Sequence, residues 1–343
     1  MALSARLTTV TDDRLLPKVV DTVLGSNVLT ARALTGAKKW TGGQLVGSIK
    51  YQDGLDGSSF DGFDTFSTTA SNRRVKMTFQ PRFYYKSVVL PQTEIDINAT
   101  EGGVINLAAT ELAMAAQEMS DEIGTILYAD GTGNSSKDFL GLQAIVDDAT
   151  NAATFGGLAR ATYTTLNAGY TSQATLTLAS MATMYNTCTS GVHKPTIILT
   201  TEAIFALYEQ LLQPMERINQ KVSPVKGQGM AGEAGFTSLL YKGVPMIADE
   251  KCTSGVMYFV NENFLDWYAI PSVKNKAIQY NPSSIEGNNY DNKFATVNGL
   301  GFSWTGWKVP TNGYSVVGQV ILGGNLVSFD PGKHGQLHSI TGV

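Results

Sequence analysis

An α+β fold is predicted for this chain, on three observations. One stretch, Asn98–Gly131, carries an apolar stripe at helical spacing from Ile105 to Ile126. Just before it, two alternating segments flank a long tip rich in glycine and serine, the pattern of an extended β-hairpin. After it come strand and helix patterns in alternation, then a strand-like return rich in glycine, asparagine and aromatic residues.

Residues 1–42 form a basic arm in which Arg6, Arg14, Lys18, Arg32, Lys38 and Lys39 outnumber Asp12, Asp13 and Asp21. Its apolar residues are too few for a core of its own, so it is expected to lie on something else. In the hairpin, residues 43–98, Leu45, Gly47, Ile49 and Tyr51 alternate as one strand. Val75, Met77, Phe79, Phe83 and Tyr85 alternate as the other. A connection of that length needs a reason, and the charges suggest one. Asp53, Asp56, Asp61 and Asp64 crowd the tip, whereas Arg73, Arg74, Lys76, Arg82 and Lys86 crowd the returning strand. A long two-stranded ribbon is marginal alone and is expected to rest on another surface, a neighbouring subunit being the reading adopted.

In the helix, Ile105, Ala109, Leu112, Ala116, Met119, Ile123 and Ile126 form the stripe. Glu111, Glu118, Asp121 and Glu122 fall on the other side, and no Lys or Arg lies between Lys86 and Lys137. Those carboxylates therefore need cations from elsewhere, and the ribbon is the expected source. Asn98 and Glu101 have the spacing of a capping box, and Asp130-Gly131 provides the stop. Lys137–Thr150 reads as a turn and short strand, Thr175–Cys188 as a helix, and Lys194–Thr200 as a buried strand. Thr201 is the expected cap of a helix that ends at Pro214. Tyr241–Ala248 and Gly255–Asn261 read as two strands, with Trp267–Ile270 trailing and Lys274–Phe329 strand-like.

The totals narrow the function classes. A 343-residue chain that is 43% hydrophobic but only 16% charged has a large core and a charge-poor surface, suited to contact with copies of itself. A net charge of −4 argues against a dedicated nucleic-acid clamp. Cys188 and Cys252 are too few and too far apart for a disulfide scaffold or thiolate zinc site. No signal peptide or run of membrane-spanning length is present, which predicts a soluble chain made in a cytoplasm and no membrane partner.

Chemical sites are weighed and set aside. Gly227-x-Gly229-x-x-Gly232 follows Pro224 rather than a strand, so a flexible loop outweighs a dinucleotide fingerprint and no cofactor is assigned. Asp130, Thr132, Asn134 and Asp138 lack the glycine and closing glutamate of a calcium loop; a capped turn is expected and no metal is assigned. His193, His334 and His338 are read as surface histidines, no nucleophile elbow accompanies them, and the two cysteines are read as unreactive. No catalytic residue is assigned.

In this order (basic arm, long hairpin, long helix, an acid-Gly turn at Asp130-Gly131 leading into Gly141-Leu142) the chain resembles the major capsid proteins of tailed bacteriophages, whose fold encapsulin shells share. PTIILTTEAIFALYEQL and the pair YKGVPMIADE and GVMYFVNENFLDWY resemble the family's central domain. The resemblance implies an N-terminal arm at 1–42 and an extended loop at 43–98. It implies a peripheral domain with its spine helix at 99–158, completed by return strands at 269–330. An axial domain at 159–268, with the loop Lys226–Gly235 near the capsomer axis, and a tail at 331–343 complete the assignment. Hexamers and pentamers of the chain would close an icosahedral head around double-stranded phage DNA, held non-specifically. The virion is the expected location, after assembly in the host cytoplasm. Asp53, Asp56, Asp61, Asp64, Arg73, Arg74, Lys76, Arg82, Lys86, Glu111, Glu118, Asp121 and Glu122 are the expected inter-subunit contacts. Some relatives cross-link through a lysine in the extended loop; Gln52–Asn72 contains none, so a non-covalent shell is expected. A separate scaffolding protein, a portal and a decoration protein are the further partners implied. An encapsulin-like compartment is the first alternative, and a hydrolase, for which no ordered catalytic set exists, the remote one.

Overall fold

The computed structural model describes residues 28–52, 59–66, 72–98, 107–212, 238–270, 302–304, 308–310 and 313–343. In chain order the elements begin with helix α1 (Val28–Thr35), the short strand β1 (Lys38–Lys39) and the ribbon strands β2 (Leu45–Lys50) and β3 (Arg74–Phe79). Strand β4 (Arg82–Pro91), a short helix α2 (Gln92–Asn98) and the long helix α3 (Leu107–Tyr128) follow. Then come α4 (Leu142–Ile145), β5 (Thr154–Phe155), β6 (Leu158–Ala159), β7 (Gly169–Ser172), α5 (Leu178–Thr187), β8 (Ile197–Thr200) and α6 (Glu202–Leu212). The chain closes with β9 (Ser238–Tyr241), β10 (Val244–Ala248), β11 (Met257–Val260), β12 (Asp266–Ala269), β13 (Phe302–Trp304), β14 (Ser315–Val327) and β15 (Gly335–His338).

Two sheets organise these pieces. The first is built on β14, which pairs antiparallel with β4 over ten residues, with β13 and with β12; β1 adds parallel to β12. The second runs β7-β15-β11-β8-β10-β9 and mixes parallel and antiparallel pairs. Helix α3 packs across β4, and its buried face is Ala115, Met119, Ile123, Leu127 and Tyr128. Of the expected stripe Met119 and Ile123 are fully buried and Ile126 only partly, while Leu127, four residues after Ile123, is fully buried. Asn98 ends α2, and the proposed capping partner Glu101 lies outside the described residues. The stop is the expected one. Asp130 accepts from the N–H and hydroxyl of Thr132, Gly131 takes a left-handed φ of +74°, and the turn is capped. Gly141 then lies so close to the helix end that an added Cβ would stand 2.3 Å from the Ala129 carbonyl, which explains the glycine before Leu142.

Several sequence readings need correction. Val75–Tyr85 is two strands, because Gln80-Pro81 interrupts the ladder and shifts the phase. Before the break Met77 and Phe79 face inward; after it Val88 and Leu90 do, leaving Phe83 and Tyr85 outside. The strand expected within Lys137–Thr150 is instead the helical turn α4, with Leu142, Ala144 and Ile145 buried. Tyr241–Ala248 is not one strand but the end of β9, a two-residue turn and β10; Lys242 and Gly243 both have positive φ, as a tight hairpin turn requires. His334 is no surface residue. It is fully buried where the two sheets meet, its Nδ1 accepting from the Asn261 N–H and its Nε2 lying 3.2 Å from Ser328 Oγ. The segments 1–27 and 271–301, the loop at 226–235 and Gly227-x-Gly229-x-x-Gly232 lie outside the described residues, as does Pro214. Both cysteines are buried, and burial raises both thiols, Cys188 to about 12.

Candidate inter-subunit surface

The basic segment and the ribbon are first fastened to their own subunit. In α1, Arg32 makes a two-pronged pair with Glu262, and Lys38 reaches Asp266 at 2.7 Å. Trp40 is buried and its backbone N–H donates to the Ala269 carbonyl at 2.7 Å. Residues 28–40 of the predicted arm therefore lie on the body of the same chain. The ribbon root does rest on another surface, as expected, but that surface is the body of its own chain rather than a neighbouring subunit. Gly47 admits the Phe329 ring, since a Cβ there would stand 2.1 Å from Phe329 Cε1. Met77 and Phe79 are buried, with Phe79 edge-on to Phe155 and Phe329. Tyr51 stacks edge-on against Tyr163.

The cations of β4 also find partners within the chain. Lys86 lies 2.7 Å from Glu122 and 3.0 Å from Glu118, and Tyr84 donates to Glu122. Burial pushes the Glu122 carboxyl up, but Lys86 and Tyr84 outweigh it and hold the group below its ordinary range; burial and Glu122 together push Tyr84 up to about 12. Arg82 donates to the carbonyls of Gly131 (2.9 Å) and Asp138, pinning the strand to the end of α3, and Asp121 pairs with Lys251 at 2.9 Å. The helix thus takes its cations from β4 and from the turn after β10. Glu111 is half-buried on the same helix.

What remains open is the outer ribbon. Arg73, Arg74 and Lys76 are exposed and make no ion pair among the described residues. Beyond them the described part of the tip, 59–66, is a turn in which Asp64 accepts from the Asp61 N–H at 2.8 Å and Asp61 from the Gly62 N–H at 2.7 Å. Asp61 and Asp64 are therefore spent on the turn, while Asp53 and Asp56 lie outside the described residues. Three phenylalanines that the charge reading passed over, Phe60, Phe63 and Phe66, stand outward at 65%, 101% and 67% exposure. Their recurrence every third residue among glycine, serine and aspartate was the available signal. Among the described residues no helix is long and apolar enough to cross a membrane, and no group of three His, Cys, Asp or Glu is placed to hold a metal.

An exposed ribbon on a body of two sheets and one long helix defines a class, and comparison of folds gives its members. No family model and no curated protein matches the chain. Among solved structures, the cyanophage A-1(L) capsid subunit superposes with a TM-score of 0.67 at 17% identity, over 92% of this chain and 93% of that one. The capsid of a native GTA particle gives 0.59 at 10% identity, covering 91% of each chain. The SrpI encapsulin of Synechococcus elongatus gives 0.52 at 11%, covering 88% of this chain and 84% of that one. The chain has the fold of phage capsid and encapsulin subunits.

Proposed function

We propose that this chain is the major capsid protein of a tailed phage, self-assembling through hexamers and pentamers into the icosahedral head that encloses double-stranded DNA. The observation that carries the reading is the match in fold, over nine-tenths of both chains, to subunits whose assemblies are capsids. In this reading 1–42 is the arm, 43–98 the extended loop, 99–158 and 269–330 the peripheral domain with α3 as its spine, 159–268 the axial domain and 331–343 the tail. Closed shells of one chain need heterologous contacts whose rotation closes, and a ribbon fastened at its root and open beyond it suits that need. Arg73, Arg74 and Lys76, which make no ion pair among the described residues, are the best candidates for contact with a neighbour. Exposed pairs contribute only ~0.2–1 kcal/mol each, so their value lies in register and in repetition over many interfaces. DNA contact on the inner surface is non-specific and weak, consistent with the net charge of −4. A separate scaffold, a portal and a decoration protein are the partners of this reading; the virion is its location, after assembly in the host cytoplasm.

A closed compartment around a protein cargo is the second reading, and one observation favours it. Between α1 and the second sheet lies a cavity of about 170 Å³ lined by Leu29, Ala33, Gly36, Ile197, Leu199, Val260 and Leu265 and, at its charged side, by Arg32, Glu262 and Asp266. It has room for one small side chain of a bound peptide. Imaging the purified full-length chain decides between the readings. Icosahedral particles that package DNA are expected. Particles holding a protein cargo and no nucleic acid would favour the compartment, and a chain that stays monomeric at all concentrations would overturn both.

A further inference from the structure

Trp40 and the ribbon are close in sequence, since β2 begins at Leu45, and both meet the body at one row of rings. Trp40 meets Tyr268 of β12 at 6.4 Å and 90°, and Tyr268 meets Phe329 at 6.5 Å and 86°. Phe329 meets Phe79 of the ribbon at 5.7 Å and 82°, and Phe79 meets Phe155 of β5 at 5.4 Å and 69°. Every pair is edge-to-face, an arrangement that ring quadrupoles favour. Phe329, in the middle of the row, belongs to the connection between β14 and β15, which joins the two sheets. That connection is closed on itself. Ser328 Oγ lies 3.2 Å from His334 Nε2, and the N–H groups of Lys333 and His334 donate to the carbonyls of Asp330 and Pro331. It is also fixed to β7, where the Gly169 N–H donates to the His334 carbonyl at 3.1 Å. The ribbon yields to this ring: Gly47 sits inside β2, where glycine weakens a strand, and close approach of another group is what that weakness permits.

We infer that Phe329 is a positioning residue for assembly: it fixes the angle at which the ribbon leaves the body and the arm. One side of the ring holds Gly47 and Phe79, and the other meets Tyr268, the ring partner of Trp40. This rests on the shell-forming reading, in which arm and ribbon are the parts that reach a neighbour, and deepens it by naming what aims them. Phe329 is only partly buried, at the margin of the core, so its place in the row matters more than its share of the interior. Leverage makes the seat important. Arg74 lies at the far end of β3 from Phe79, ~17 Å along the strand, so a tilt of about 10° at the root displaces it by ~3 Å. That is the full length of a hydrogen bond, enough to lose a contact with a neighbour. Because the ring is carried by the connection between the sheets, a shift of one sheet on the other moves the ribbon as well.

Hydrogen exchange on the full-length, unassembled subunit tests this. Phe329→Val keeps an apolar residue and removes the ring; exchange is expected to quicken at least about tenfold across β2 and β3 and to stay unchanged in β8 and β11. Gly47→Ala, whose methyl group would stand 2.1 Å from Phe329 Cε1, should loosen the same two strands. On the Phe329→Val background it should add less than about twofold, because the ring it strikes is gone. Particle yield of Phe329→Val in electron micrographs should fall, although Arg73, Arg74 and Lys76 are all retained. Ribbon strands that exchange at the wild-type rate without the ring would overturn the inference. Equal quickening in β8 and β11, or a Phe329→Val chain that does not fold, would do the same by making the ring ordinary core. So would full additivity of the two substitutions, or loosened strands with a normal yield of particles. Wild-type chain that forms no particles would remove the shell reading and leave the exchange result standing.

Discussion

At the scale of single residues, His334 is the clearest physical commitment in the molecule. The Asn261 N–H donates to Nδ1, so the ring proton sits on Nε2, facing Ser328. Burial lowers its pKa from 6.5 to about 4, with the Phe264 carbonyl opposing. The sign follows directly: an unfolded chain takes up the proton first, so this residue's contribution is whole above pH 6.5 and shrinks as pH falls toward 4. Roughly 3 kcal/mol is lost over that window, at ~1.4 kcal/mol per pH unit. Denaturant unfolding of the unassembled subunit at steps between pH 7 and 4 should show this decline, and a His334→Gln chain should lack that part of it; equal slopes in the two would refute the assignment. Lys and Glu tell a milder story. Lys86 was read from charge order as reaching a neighbour, but a 10-residue pairing of β4 with β14 sets it beside α3, where Glu118 and Glu122 already wait. Local sequence shows that a charge needs a partner; it does not show which fold-back supplies one.

Among the elements, the ribbon has two characters. Its root is core: Ile49, Met77 and Phe79 are buried, and Gly47 yields to Phe329. Its outer half is surface, with Arg73, Arg74 and Lys76 unpaired among the described residues. Reversing charge there should therefore spare folding and harm assembly. Arg73→Glu with Arg74→Glu is expected to leave the circular dichroism and melting of the subunit unchanged while reducing particle yield in electron micrographs; normal particles in normal yield would remove the ribbon cations from any docking role. The helix α3 was legible in sequence because its Met119–Ile123 stripe repeats at its own period and its stop, Asp130-Gly131, is local chemistry. The hairpin at Lys242-Gly243 and the phase break at Gln80-Pro81 were not. Each depends on two residues whose effect shows only once neighbouring strands set a register.

For the whole molecule, assembly is proposed to be non-covalent, since Gln52–Asn72 holds no lysine and both cysteines are enclosed. Mature particles boiled in detergent should run as a single band of about 37 kDa, the 36.7 kDa chain; a ladder that survives reductant would overturn this. The order of arm, ribbon, long helix, mixed middle and β return could be read from the chain alone, because each segment announces itself by period, by glycine content or by charge. That order was enough to point to the capsid fold, which the comparison of structures bears out at 9–17% identity. What the sequence could not determine was which faces meet. His334 is buried because β15 inserts between β7 and β11, strands more than 80 residues apart from each other in the chain. Phe83 and Tyr85 are left outside because α3 covers the opposite face of β4. Periodicity is a property of neighbours along the chain, whereas burial is decided by elements far away in it, and only the folded molecule brings those together.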